Sequence, residues 1–384
     1  MITKKTYGVS PTLDIVVGNT EFDPTSVNRV ELHLAENQHD MLIMELSGIP
    51  PLAITAMYEK PVDVSIYTGG NFYQRFVGYV EDVRPESFTG FGLVNNSPFQ
   101  TVKVVCMGAS YAMRGSRSNS WSGYRLSDIA TDMSTRYGFS VDTPSDRTVH
   151  ESLLQTNESD WQFLTRYASF LGYSVNVHGT HLHIYDPYSA KSRQNSYHVL
   201  STLRGTKGNV TPAPGQIIEF KGTFSKRHID GNYKEHSTTI VNSDNTVYDV
   251  SSTTVDDYHN GYARFPNRLP EYVDSYEEAS KRISAVSKQD YDYYATVRVI
   301  GLAGCVPGGI IRIDNYNGDF DRFWYVQSVS HHVHSDSFYT ELELALNLNS
   351  ELKFNNTRRF TTPPLAVYSK GRWVAKDRTI NEYS

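Results

Sequence analysis

The residues with the most obvious chemical potential are histidines in short-range pairs. His181 and His183 lie two apart, with His178 just across a Gly179-Thr180 turn. On a β-strand, residues two apart share a face, so this spacing could present imidazoles to a metal ion. "VSHHVHSD" repeats the pattern with His332 and His334. Leu182 and Ile184 alternate with the first pair and claim the buried face, which leaves the imidazoles on the wetter one. The expectation is surface histidines without a bound metal. His150-Glu151 has no second His at the spacing of a zinc-protease helix. The chain has no G-x-S-x-G elbow, no P-loop and no C-x-x-C. Paired carboxylates leave no linear trace, and with 42 acidic residues a pair could be drawn anywhere. No catalytic, cofactor-binding or metal-ligating residue is expected, no cofactor, and no enzyme activity.

The elements that would position any such site are mostly strands. With 39% hydrophobic and 20% charged residues over 384 positions, the composition fits a globular chain of two or three domains. No apolar run approaches the roughly 20 residues of a membrane helix, and the start reads as no secretory signal. A net charge of −6 argues against tight nucleic-acid binding. Two distant cysteines, Cys106 and Cys305, fit a reducing compartment and give no disulfide framework. The 27 tyrosines favour strands and also supply contact area at interfaces.

"NRVELHLAE" and "MLIMEL" alternate like half-buried strands. In "PVDVSIYTGGNFYQRFVGYVEDV", Val62, Val64 and Ile66 share a face, Gly69-Gly70 turn the chain, and Phe76 to Val83 return. "PGGIIRIDNYNGDFDRFWYVQSV" repeats the plan, with Pro307 for Pro61, Gly318 in the turn, Arg322-Phe323 for Arg75-Phe76 and Val329 for Val83. A further alternating strand follows each copy, "TVKVV" and "TELELAL". A degenerate internal repeat of this kind implies two related antiparallel barrels.

Between the copies, "RLSDIATDMSTRYGFSV" reads as a helix capped by Ser127, stopped by Gly138 and buried through Ile129, Met133 and Tyr137. "NESDWQFLTRYASFLGYSV" reads likewise, with Asn157 as N-cap, Asp160 in the capping-box position, a stripe of Trp161, Leu164, Ala168 and Leu171, and Gly172 as stop. Asn157-Glu158-Ser159 also matches a glycosylation acceptor, but without a signal peptide the N-cap reading is preferred. Arg114, Arg117 and Arg125 cluster before the first helix, a pattern of solvated charge or protein contact. Ser275 and Glu278 form a capping box for a third helix with Ala279, Ile283 and Val286 inside. The expected fold is mainly β (α+β): a first β-barrel at 1–115, an α+β insert at 116–203, a second β-barrel with long loops at 204–349, and an extended arm at 350–384 that carries Arg358-Arg359 and Pro363-Pro364.

The run Glu158-Ser159-Asp160-Trp161-x-Phe163-Leu164, followed by Gly172-Tyr173 and the hairpin to "THLHIYDP", resembles the tail baseplate hub family of phages. That superfamily includes the late-control protein D group and the N-terminal part of type VI secretion spike proteins. "FVGYVEDVRPES", "VKVVCMGASYAMR", "LSDIATDMSTRYG", "PGGIIRID" and "FWYVQSVSHHVHSDSFYTELELAL" follow in family order, with His331 and Tyr339-Thr340 as family features. The resemblance spans most of 27–348; "NYNGDF" is longer than typical and 204–260 matches poorly.

The resemblance implies a structural virion protein assembled in the host cytoplasm. It would be a homotrimeric hub whose two barrels per chain make a pseudo-sixfold ring, joining the sixfold tail tube to a threefold tip or spike and letting DNA pass. Implied partners are a second and third copy, the tail tube or distal tail ring, a spike or tail-tip protein, baseplate wedge proteins and the tape-measure protein in the lumen, with no membrane anchor and no sequence-specific nucleic-acid binding. Because the chain stops after the arm, a wall-cutting activity would belong to a separate protein, which the arm could dock. Three alternatives stand beside this reading: the same hub in a non-viral contractile injection system, a tail-associated cell-wall-degrading enzyme, and a carbohydrate-binding tip.

Overall fold

The computed structural model describes residues 11–346 except 69–72, 92–97, 146–148, 150–152, 188–195, 203–213, 225–234, 242–246, 254–266, 274–277, 284–290, 292, 315, 317–319 and 336, together with three short strands further on. Alternation sets the first strands. In β1 (Thr12–Val17) Leu13, Ile15 and Val17 point inward; β2 (Thr20–Phe22) returns beside it. β3 (Val27–Ala35) buries Val30, Leu32 and Leu34, and β4 (Met41–Ile49) buries Leu42, Met44 and Leu46. Helix α1 (Pro51–Ala56) leads to β5 (Pro61–Tyr67), β6 (Tyr73–Phe91) and β7 (Pro98–Gly108), which form an antiparallel meander. The turn at Gly69-Gly70 lies outside the described residues.

The insert follows with its own core. It contains β8 (Ser116–Trp121), α2 (Leu126–Tyr137), β9 (Ser140–Asp142), β10 (Leu153–Ser159), α3 (Asp160–Phe170), β11 (Ser174–His178) and β12 (His181–Tyr185). Ile129, Met133, Trp161, Leu164, Ala168 and Leu171 are all buried in one cluster, as their helical spacing requires. Both helix starts differ from the sequence expectation. Helix α3 begins at Asp160 with Ser159 as N-cap: Ser159 Oγ accepts the Gln162 amide at 3.0 Å, and Gln162 Oε1 accepts the Ser159 amide at 3.0 Å. Asn157 instead stands in a bulge of β10 with φ of 49°, a left-handed conformation that asparagine tolerates. The capping box prefers Glu or Gln at its third helical position, and moving the cap two residues on puts Gln162 there. Helix α2 starts at Leu126, with Asp128 accepting the Arg125 amide at 3.0 Å, rather than behind Ser127. Gly138 and Gly172 stop the two helices with φ of 71° and 81°.

The second set begins with β13 (Ser196–Thr202), which pairs in the large sheet rather than with the strands of the insert. Then come β14 (Gln216–Phe224), a separate sheet of β15 (Glu235–Val241), β16 (Val247–Thr253) and β17 (Asn267–Val273), and a helical turn at 278–283 that buries Ala279 and Ile283. The Ser275 cap and Val286 lie outside the described residues. The set ends with β18 (Tyr293–Ile300), β19 (Ile310–Asp314), β20 (Phe323–His334) and β21 (Ser337–Leu346). Beyond it, β22 (Arg358–Arg359) pairs with β13, and β23 (Ala366–Ser369) pairs with β24 (Arg372–Ala375).

The order β13-β14-β18-β21-β20-β19 closes into a barrel, because β19 pairs with both β13 and β20. The order β3-β4-β7-β6-β5-β1 repeats the strand order in the first half, where among the described residues β1 pairs with β5 and β2 and not with β3. The two halves are not separate: β3 pairs with β20, fusing them into one 14-stranded sheet over a continuous core. In this sheet the pairings are antiparallel except at β13, which runs parallel to β14, β19 and β22 where the chain re-enters from the insert.

The register shows how close the repeat is. Val80 exchanges backbone bonds with Lys60 and Glu59 as Val326 does with Gly309 and Gly308. A one-residue bulge follows in each, Glu81 and Gln327, before Val83 and Val329 face Val104 and Leu342. On the far side, bulges at Asn28 and Ile218 match as well. The Arg-Phe pairs are one residue out of step: counting back from the valines places Phe76 with Arg322 and Gly78 with Trp324. Phe76 lies seven residues before Val83 but Phe323 only six before Val329, so the two dipeptides are not equivalent.

Gly78 tolerates no side chain. A Cβ there would lie 2.1 Å from the Met107 carbonyl oxygen of the paired strand. Gly78→Ala is expected to destabilise the first barrel by about 2–3 kcal/mol, read as a lower urea midpoint; an unchanged midpoint would contradict the packing described.

Candidate functional site

Asp160, the first residue of α3, is fully buried yet surrounded by donors. Its carboxylate accepts from Arg136 Nη1 at 2.8 Å, Tyr137 OH at 2.7 Å and Gln155 Nε2 at 2.8 Å, and Arg117 Nε approaches to 3.6 Å. This ties α2, β8, β10 and α3 together at one carboxylate. Burial, then the hydrogen bond to Asp160, raises the Tyr137 phenol above its usual range. The basic cluster thus resolves into paired groups: Arg117 with Asp160, and Arg114 with Glu81 at 3.2 Å over the Tyr111 ring.

The insert histidines do come together. His181 packs edge-on against His183 with ring centroids 4.1 Å apart, and His178 lies 5.9 Å from His183. All three are half-buried, while Leu182 and Ile184 fill the core. His181 bonds to Ser140 Oγ, and His183 Nδ1 is 3.8 Å from Asp142. Among the described residues, no group of three or more His, Cys, Asp or Glu is arranged to hold a metal ion. His150 and Glu151 lie outside the described residues.

His332 and its neighbours belong to the seam between the halves. His332 Nδ1 meets Glu31 Oε1 at 3.0 Å across the β3–β20 pairing and stacks on Tyr339 at 4.6 Å. His33 Nδ1 meets Ser330 Oγ at 2.9 Å. His334 stacks on the other reach of Tyr339 at 6.1 Å. His331 points the opposite way, into the core, where its Nδ1 meets Thr340 Oγ1 at 3.0 Å. Burial pushes its pKa down to about 3. An unfolded histidine titrates near 6.5, so the unfolded chain binds the proton and the native chain does not. The stability this neutral ring contributes is full above about pH 6.5 and falls by about 1.4 kcal/mol per unit as pH drops toward 5. His331→Gln is expected to flatten the urea midpoint between pH 7 and 5; an identical slope in the variant would contradict this.

Sequence spacing gave no hint of the joint that holds the insert on the barrels. The β3–β4 turn reaches up to it. Asn37, with φ of 57°, donates its amide to Val175 O at 2.8 Å and accepts the Val175 amide on Oδ1 at 2.9 Å. Beside it, Glu36 accepts the hydroxyls of Tyr185 from the insert and Tyr325 from the second barrel. His39 stacks on Trp161 with centroids 4.9 Å apart and bonds to Ser110 Oγ at 2.8 Å. Trp161 is therefore both core and joint. Burial lowers the His39 pKa to about 4. Glu36, Asn37 and His39 bring three bodies to one point and set no nucleophile beside a base.

An apolar groove of about 570 Å³ lies between the β1–β2 turn and α1, lined by Val17, Phe22, Ile49, Ala53 and Met57, with Lys60 at its edge. It gathers no convergent titratable groups. No helix among the described residues is long and apolar enough to cross a membrane.

This architecture has known counterparts. A tail protein from Neisseria meningitidis MC58 superposes with a TM-score of 0.64 at 14% identity, covering 88% of this chain and 97% of that one. The 43 kDa tail protein of prophage MuSo2 from Shewanella oneidensis gives 0.63 at 14% identity over 88% and 98%. A type VI secretion component of E. coli, described as structurally similar to T4 bacteriophage tail proteins, gives 0.55 at 10% identity over 94% and 87%. No curated protein matches by sequence. The family model of the phage tail baseplate hub (GPD), a structural family rather than an enzyme family, matches residues 42–337. With a fused pair of related barrels, a separately cored insert and that match over most of its length, the chain belongs to the phage tail baseplate hub family.

Proposed function

We propose that three copies of this chain form the hub ring of a phage tail, presenting six related barrels to the sixfold tube on one side and threefold symmetry to a tip or spike on the other. The duplicated barrel carries this reading: the same strand order recurs with the same bulges, and the copies are joined edge to edge by β3 and β20. Duplication within a chain turns a threefold assembly into a near-sixfold one. The ring would sit in the virion, let DNA pass and hold it weakly, as the net charge of −6 suits. The arm at 350–384 would dock a tip or wedge protein; if a chain lacking it co-assembles with every neighbour, that role is lost.

Sedimentation of the chain co-purified with its tube-side neighbour is expected to give a hub mass of three chains; six would overturn the reading. The equivalent role in a non-viral injection system rests on the same architecture, and neighbouring genes separate the two. Zymography against peptidoglycan is expected to show no clearing; lysis by the purified chain would favour a tail enzyme.

A further inference from the structure

The described residues include a barrel-to-barrel junction, and the internal repeat specifies where its counterpart lies. In the observed junction β20 of the second barrel pairs antiparallel with β3 of the first, from Ser328 opposite Ala35 to His334 opposite Arg29. β20 is available for this because β19 leaves its edge at Tyr325. Its repeat partner is β6, which β5 leaves at Tyr79. Among the described residues no strand covers β6 on that side from Asp82 onward. The repeat partner of β3 is β14, fixed by the matching bulges at Asn28 and Ile218. Here β13 covers only Gln216 and Ile217, and no described strand covers the same side from Glu219 to Phe224. Among the described residues there are therefore two uncovered edges that are the equivalents of the two edges already joined.

We propose that β6 of one copy pairs antiparallel with β14 of the next, closing the ring with the register of β20 on β3. The proposal rests on the trimer reading above and names the surfaces that reading requires. Transferring the register puts Val83 opposite Phe224, Arg84 opposite Thr223 and Pro85 opposite Gly222. The transfer ends there, because β6 bulges again at Glu86, where β20 has no bulge. The in-chain equivalent of the Arg84 and Thr223 pair is in contact: Ser330 and His33 meet at 2.9 Å.

Two features limit the ladder. Pro85 supplies no amide, so its step opposite Gly222 has one bond fewer. The Tyr58 hydroxyl now donates to the Val83 carbonyl at 3.1 Å, and the incoming strand takes over that acceptor. Both would discourage chance edge pairing and leave a short, specific contact.

The test is a cysteine pair in the full chain, Arg84→Cys with Thr223→Cys. The native thiols, Cys106 and Cys305, are buried and stay out of the reaction. Mild oxidation is expected to give covalent dimers and trimers with the double variant and neither with the single variants. Sedimentation of the same samples before oxidation separates the two ideas. Trimers by mass without covalent linkage overturn this junction and leave the trimer standing. Monomers throughout, even with the tube-side neighbour present, overturn both. Covalent chains longer than three overturn ring closure.

Discussion

Asp160→Ala should lower the stability of the insert by about 4 kcal/mol, the range for removing one member of a buried charge network. The loss exceeds that of an ordinary hydrogen bond because the partners cannot all return to water. The Gln155 side chain is buried, and Arg136 is three-quarters covered. Asp160→Asn keeps the shape but loses the charge and turns amide hydrogens toward donors where one oxygen had accepted, so about half that cost is expected. Urea unfolding followed by tryptophan fluorescence reports this directly, since Trp121 and Trp161 both lie in the insert core. Because that core is separate from the barrel core, the first transition should move and the second should stay. A variant within about 1 kcal/mol of the parent would show that the network contributes no more than a surface ion pair.

Glu36→Ala is the second large effect. It removes the acceptor of the Tyr185 and Tyr325 hydroxyls, both in buried residues, at a cost of about 3 kcal/mol. Burial, with the Glu36 charge adding to it, holds the Tyr325 phenol well above its ordinary range, so the tyrosine stays a neutral donor at any pH the protein meets. Here the expected damage is loosened docking rather than a weakened core. Hydrogen exchange should quicken at Val175, whose amide is bonded to Asn37, while the helices of the insert stay protected. Adding Tyr325→Phe should recover part of the loss, because an acceptor and its donor removed together leave fewer orphans. If Val175 exchanges no faster in Glu36→Ala, the joint does not depend on the carboxylate.

What the sequence reveals, and what it hides, follows from which interactions are local. The stripe Trp161, Leu164, Ala168, Leu171 and the alternation at Val62, Val64, Ile66 are periodic within a few residues, and every one of these side chains is buried. Both helix caps were displaced by two residues because Asn157, Ser159, Ser127 and Arg125 all stand near the starts, and only side-chain geometry decides between them. The repeat was legible through Val83 and Val329, but the Arg-Phe pairs are a chance likeness, since Phe76 lies seven residues before its valine and Phe323 six. The joint was invisible for a different reason. Its bonds link residues 138, 149 and 289 positions apart, and the glutamate, asparagine and histidine that make it look like any polar turn between two strands. The fusion of the barrels through β3 and β20 was hidden in the same way, since each strand alone reads as the edge of its own half.

The central claim is that duplication inside the chain supplies near-sixfold symmetry with three copies. Electron-microscopic reconstruction of an assembled tail, without imposed symmetry at the hub, tests it most directly. The expected result is a ring of three chains with β20 on β3 within each copy and six barrels facing the tube. A ring of six copies, each offering one barrel, would contradict it.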